Sequence, residues 1–253
     1  MSIPVGLQLY TLREETEKDF VDTLQSVADM GYQTVEFAGY GGIEAKEMKK
    51  ILDDLGLYAP SSHVPIEVLQ HQLENQIEYS LEIGSKYIVC PYLDVQTYLR
   101  GEQNLKTTLE SFKEIAAKCR DNGLQFAYHN HDFEFEKTEE GSYILDRIYK
   151  SIDANLLVAE LDLFWVKKAG LDPIEYLSSF KNRCPIIHIK DMTKDHRETF
   201  AEVGQGIIDY LSIFKMAENI GIEHFIVEQD VCERPPLESI KMSINYLKSI
   251  GVA

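Results

Sequence analysis

The chain has 253 residues, 44% of them hydrophobic and 26% charged, and a formal net charge of −17. That is an ordinary globular composition, and a chain of this length buries about 70–75% of its unfolded surface, enough for a full core. The acidic balance argues against a nucleic-acid partner, because wrapping a phosphate backbone needs a Lys/Arg-rich face.

Strand-like and helix-like segments then alternate along the whole chain. Residues 5–9 form a short apolar strand, and 16–30 have helical spacing (Phe20, Leu24, Val27) stopped by Gly31. A second strand covers 34–37, and a helix over 43–55 is closed by Gly56 in the left-handed cap position. The third strand is read over 57–63. Pro65 suits the first turn of a helix that runs to about residue 83 and stops at Gly84. The fourth strand, 87–91, precedes a helix over 105–121 closed by Gly123.

An apolar run from Gln125 makes the fifth strand, which ends in His129-Asn130-His131-Asp132. A helix over 142–152, a sixth strand over 156–162 and a helix opened by Asp172-Pro173 to about residue 180 follow. The seventh strand is 185–190, the next helix 207–220, the eighth strand 225–228 and the last helix 236–250. Eight strand–helix units in about 250 residues, with no linker between them, describe one (β/α)8 TIM barrel, an α/β domain over 1–253. A dinucleotide fold would carry glycines after the first strand, and Tyr10-Thr11-Leu12-Arg13 stands there instead.

The four cysteines form no C-x-x-C pair, which excludes a zinc ribbon or disulfide framework. Cys90, Cys184 and Cys232 lie in or beside predicted strands and are expected to be small core residues. The amino terminus lacks the features of a signal peptide, and no apolar run approaches the ~18 residues a membrane helix needs. A cytoplasmic protein with no membrane partner is expected. A homodimer stays open, since no long apolar helix face demands one.

Chemistry in such barrels sits at the carboxyl ends of the strands. Those ends carry Gln8, Glu36, His63, His129 and His131, Glu160 and Asp162, His188 and Lys190, and Glu228 and Asp230. Any one of them could be a satisfied turn residue, and Asp191 and Asp230 are read that way. Imidazoles and carboxylates converging on one rim call for another explanation. Residues two apart share a face of a strand, so His129 pairs with His131, Glu160 with Asp162, and His188 with Lys190. His129, Asp162, His188 and Glu228, one from each of the last four strands, would ring one side of the mouth. Mixed nitrogen and oxygen donors suit Mn, Co, Zn or Fe better than Mg.

The stretches VGLQLYTLR, GYQTVEFAGY, YHNHDFEF, ELDLFWVKKAGLDP, IIHIKDM, VGQGIIDY and IVEQD resemble the sugar phosphate isomerase/epimerase family. These are xylose isomerase-like TIM barrels, with inosose dehydratase, tagatose/psicose 3-epimerase and endonuclease IV as relatives. The resemblance spans essentially the whole chain. It implies a divalent metal held by acid, acid, histidine and acid from the last four strands, matched at Asp162, His188 and Glu228. The fifth strand departs from the pattern: His129 stands where the epimerases carry a glutamate that both binds metal and moves a proton. Glu134 is an alternative ligand or base if its loop folds back.

The chemistry expected is removal of a proton beside a carbonyl, with the enediolate stabilised by the metal. His131, Lys190 and Glu228 are the proton-transfer candidates, and Lys190 could instead act as a plain ammonium. Gln8, Glu36 and His63 would bind substrate hydroxyls, and Trp165 would face a sugar ring or pack over the barrel top. Arg13, Lys194, His196 and Arg197, or a helix start after Gly204, could serve a phosphate. No strand end carries a basic cluster, so an unphosphorylated sugar or cyclitol is favoured. Isomerase/epimerase chemistry is the leading expectation, with a keto-sugar or inosose dehydratase/lyase and a non-catalytic sugar-binding barrel as alternatives.

Overall fold

The computed structural model describes residues 3–253. Eight parallel strands close into a barrel: β1 (Val5–Gln8), β2 (Thr34–Ala38), β3 (Ser61–His63), β4 (Tyr87–Cys90), β5 (Gln125–His129), β6 (Leu157–Asp162), β7 (Ile186–Ile189) and β10 (His224–Val227). A two-stranded ribbon, β8 (Asp191–Met192) with β9 (Phe200–Ala201), is inserted after β7. Among the described residues ten α-helices lie around the strands, of which α2 (Phe20–Met30), α4 (Ile66–Ile83), α5 (Glu102–Asp121) and α10 (Pro236–Ser249) are among the longest.

Alternation along the strands divides the core in two. Tyr87, Val89, Ala127, Ile186 and Ile226 point inward and fill the barrel, while Ile187, Ile189 and Val227 point out beneath the helices. The same alternation turns Glu160, Asp162, His188 and Glu228 inward. Register sets their heights, since Asp162 lies beside His188 and His129 beside Glu160.

The boundaries differ from expectation where a local hydrogen bond or a missing donor decides. The third strand shrinks to Ser61–His63: Pro60 has no N–H to give, and Tyr58 makes only an isolated bridge to Thr34. The helix expected over 16–30 is two, because Asp19 is extended (φ −155°, ψ 105°) and its side chain caps the second by accepting from the N–H of Asp22. Pro65 stands just before α4 rather than in its first turn, with ψ 146°. A helix not anticipated, α7 (Leu163–Lys168), follows β6 directly, and α8 (Pro173–Ser178) comes after it. Cys90 and Cys184 are buried as expected, whereas Cys232 lies beyond β10 and is only half-buried, so it is not a core residue. Among the described residues no helix is long and apolar enough to cross a membrane.

Candidate active site

A buried hydrogen-bond layer forms the floor of the mouth. Glu36 is fully enclosed and accepts from Ser61 Oγ (2.5 Å) and Gln8 Nε2 (2.8 Å), and it binds His188 Nε2 at 2.7 Å. Glu160 Oε1 meets three imidazoles: His63 Nε2 at 2.6 Å, His129 Nδ1 at 3.0 Å and His188 Nε2 at 3.1 Å. Burial alone would neutralise these histidines, but Glu36 and Glu160 outweigh it for His63, whose pKa rises to about 10. His188 is raised likewise by Glu160, Glu36 and Glu228. His129 goes the other way, because burial and the neighbouring cations His188 and His63 lower it well below the ordinary value.

Above this floor the four residues expected to bind metal come together. His129, Asp162, His188 and Glu228 are all buried and each offers a ligand atom within 4.8 Å of the others. The floor orients the two imidazoles. With Nδ1 on Glu160, His129 turns Nε2 to within 3.7 Å of Asp162 Oδ2, and His188 keeps Nδ1 at 2.7 Å from Glu228 Oε2. Asp162 is fixed by the unanticipated helix: its Oδ1 accepts from the N–H groups of Phe164 (2.9 Å) and Trp165 (3.3 Å), capping α7. Asn130 braces it from β5 by accepting from the Asp162 N–H at 3.0 Å.

Oδ2 of Asp162 is thereby left inside the donor set, buried and without a hydrogen bond of good geometry. Two imidazoles and two carboxylates converging in this way form a donor set that fits a first-row divalent ion. A second cation is built into the chain. Lys190 Nζ lies 2.8 Å from Asp162 Oδ2, 2.7 Å from Glu228 Oε2 and 2.8 Å from Asp230 Oδ2. Burial opposes the ammonium, but the three carboxylates raise its pKa well above that of free lysine. Burial raises Asp162 to about 6 despite Lys190, whereas Lys190 and His188 overcome burial and hold Glu228 well below the carboxylate range.

A cavity of about 480 Å³ opens over this cluster, and His63, His129, His131, Glu228 and Asp230 line it. His131 sits among aromatic rings, stacked on Phe133 (5.4 Å between centroids) and edge-on to Tyr92 (5.6 Å), with Trp165 tilted at 5.4 Å. Its Nδ1 has no hydrogen-bond partner, and burial together with Lys190 lowers its pKa to about 3, leaving a neutral imidazole. Trp165 also lies beneath Lys190, whose Nζ is 5.8 Å from the indole centroid.

Other residues singled out from the sequence fall elsewhere. Gln8 and Glu36 are fully buried in the floor; Gln8 donates to Glu36, and Glu36 reaches the mouth through the imidazoles of His188 and His63. Glu134 is turned away from the mouth, accepting from Tyr128 Oη (2.6 Å) and the His131 N–H (2.8 Å). Arg13 stacks on Tyr10, Arg197 pairs with Asp195 and Glu233, and Lys194 lines a separate hollow. His196 is exposed in the β8–β9 loop. Asp191 is the satisfied turn residue expected, but Asp230, read the same way, instead helps hold Lys190. Glu160, Asn130 and Asp230 carry parts of the site that strand-end reading left without a role. Glu160 had a usable signal, since it shares the inward face with Asp162.

The fold and site together define a closed (β/α)8 barrel whose strand ends bring four donors that could hold a metal ion beneath one cavity. The chain is a member of the xylose isomerase-like TIM barrel family, whose model matches residues 24–250. An inosose dehydratase of Clostridium perfringens is 26% identical over 271 aligned residues, covering 92% of this chain and 90% of that one. The inosose dehydratase of Geobacillus kaustophilus is 23% identical, covering 88% and 85%. A crystal structure of a sugar phosphate isomerase/epimerase from Parabacteroides distasonis, 26% identical, superposes with a TM-score of 0.86 over 100% of this chain and 96% of its own.

Proposed function

We propose that this protein is a lyase that removes water from a keto-sugar or ketocyclitol by β-elimination, with His131 as its base. The observation that carries the reading is the position of Glu134. It is the glutamate nearest the fifth-strand end in sequence, and Tyr128 and the His131 N–H hold it away from the mouth. Epimerisation by two opposed carboxylates therefore lacks one of them, whereas elimination needs one base.

His131 is uncharged at neutral pH and lines the cavity, while its Nδ1 is buried and unpartnered. It accepts the proton from the carbon beside the carbonyl. The electron pair moves into the carbonyl, returns, and expels the hydroxyl on the next carbon. That hydroxyl leaves as water with the proton His131 carried, and an α,β-unsaturated ketone remains. His63, an imidazolium on the same cavity wall, would offset the charge that develops on the carbonyl oxygen. Lys190 stays an ammonium and fixes Asp162 and Glu228 rather than moving a proton. A divalent ion held by His129, Asp162, His188 and Glu228 would supply Lewis-acid stabilisation of the developing oxyanion. The names of the curated relatives agree with this chemistry.

The test is incubation with Mn²⁺ and a panel of inososes and keto-sugars, followed by NMR in D₂O and by ultraviolet absorbance. Loss of one hydroxyl with a new conjugated carbonyl is expected. Deuterium entering a recovered substrate or its epimer, with every hydroxyl retained, would replace this reading by the isomerase/epimerase one. Glu228, ionised and on the same cavity, favours that second reading.

A further inference from the structure

The cavity is built in two chemically distinct halves. The ends of β5 and β10, with His63 of β3, supply its imidazoles and carboxylates. The end of β2 and the segments after β1 to β4 supply Tyr10, Ala38, Gly39, Pro65, Pro91 and Tyr92. Tyr10 and Tyr92 remain 43% and 49% exposed, unusual for large rings beside a polar site. Arg13 braces Tyr10, with its guanidinium 4.5 Å from the ring centroid and Nη1 donating to the Tyr10 carbonyl at 2.9 Å.

The volume is too large for one ring. A cavity of about 150 Å³ takes one six-membered ring, and about 480 Å³ is roughly three times that. A lone hexose or cyclitol over the donor cluster therefore leaves the tyrosine half unfilled. Flat apolar walls recognise flat apolar groups.

The cationic side chain on the cavity wall, the His63 imidazolium, is already held by Glu160 (2.6 Å) and Glu36 (3.1 Å). No Lys or Arg is among the cavity's lining residues, and its charged oxygens belong to Glu228 and Asp230. The backbone N–H groups of the glycine-rich segment after β9 are already filled from within. Asp191 Oδ2 accepts from Gly204 N (3.0 Å) and Gly206 N (2.9 Å), and Oδ1 from Met192 N (2.8 Å) and Ile208 N (3.1 Å). A Cβ on Gly206 would run into that carboxylate, so the loop is closed around it with no room for a second anion.

We infer that the substrate is an uncharged sugar-type molecule bearing a flat apolar substituent, which lies against Tyr10 and Tyr92, and that phosphorylated sugars are excluded. This rests on the site being one for a carbohydrate, and holds whether the reaction is elimination or epimerisation.

Calorimetric titration of the intact protein with three unreactive probes tests it: 4-nitrophenyl glucoside, methyl glucoside and glucose 6-phosphate. The aryl glucoside should bind about tenfold tighter than the methyl glucoside, and the phosphate weakest. Tyr10→Ala and Tyr92→Ala should bring the aryl-to-methyl ratio toward unity, while Tyr92→Phe preserves it. Thermal melts check that each variant is folded. Equal aryl and methyl affinities, tighter phosphate binding, or an unchanged ratio in both alanine variants would overturn the inference. Aryl-selective binding without any loss of water in the NMR assay would sink the lyase reading alone. Failure to bind any probe would remove the carbohydrate reading along with the inference.

Discussion

Lys190 Nζ lies 2.8 Å from Oδ2 of Asp162, the same oxygen that a metal at this site would use. A metal bound there would therefore share with the ammonium the neutralisation of one carboxylate cluster. Replacing Lys190 by Met keeps the volume and removes the charge, leaving Asp162, Glu228 and Asp230 uncompensated. Breaking a buried ion pair from one side costs about 3–5 kcal/mol, which lowers the melting temperature by roughly 6–20 °C for a chain of this size. Added Mn²⁺ or Zn²⁺ should return more of that loss in Lys190→Met than it adds to the wild type. Equal metal-induced shifts in both proteins would show that the two cations do not share the cluster.

Metal content provides the second check. Asp162→Ala and His188→Ala should each abolish retention of first-row metal through dialysis, measured by elemental analysis. Glu36→Gln should weaken it about 10–100-fold, because Glu36 holds His188 Nε2 at 2.7 Å without joining the donor set. Glu134→Gln should leave metal content unchanged, since that carboxylate is engaged by Tyr128 and the His131 N–H. Wild-type metal in Asp162→Ala would remove the site assignment.

What was legible in the sequence follows a short period. Strand alternation is enough to turn His188 and Lys190, or Glu160 and Asp162, to the same side, and eight repeats are enough to close the ring. What escaped depends on distances that alternation does not carry. Asp162 is oriented by a six-residue helix too short to leave a periodic signal. Asp230 looked like a turn residue until its partner 40 positions away reached it. Pairing of His188 with Glu36 spans 152 positions. The apolar half of the cavity lies on loops, where Tyr10, Pro91 and Tyr92 follow no repeat.

Removing the imidazole of His131 should separate chemistry from binding. His131→Ala is expected to lower kcat about 10²–10⁴-fold with little change in KM, as for loss of a positioned general base. Imidazole in the buffer should restore part of the rate, since the cavity left behind opens to solvent. A variant that loses metal along with activity would indicate a ligand role, and the metal analysis reads that directly.

Acid stability should be set partly at the opposite end of the barrel, where His224 begins β10 with Nδ1 3.2 Å from the Tyr58 hydroxyl. Burial lowers the pKa of His224 to about 4, with Glu223 opposing the shift. Above about pH 6.5 neither the folded nor the unfolded chain protonates this ring, so it contributes nothing. As pH falls from 6.5 to 4 only the unfolded chain takes up the proton, and folding stability drops; below 4 both states hold it and the loss stops. Between pH 7 and pH 5 this amounts to about 2 kcal/mol. His224→Gln removes the titration, so urea unfolding should show a smaller decline over that interval in the variant than in the wild type, by about that amount. The mouth is untouched, and turnover at pH 7 should stay the same. Parallel declines in the two proteins would assign the acid sensitivity to other groups.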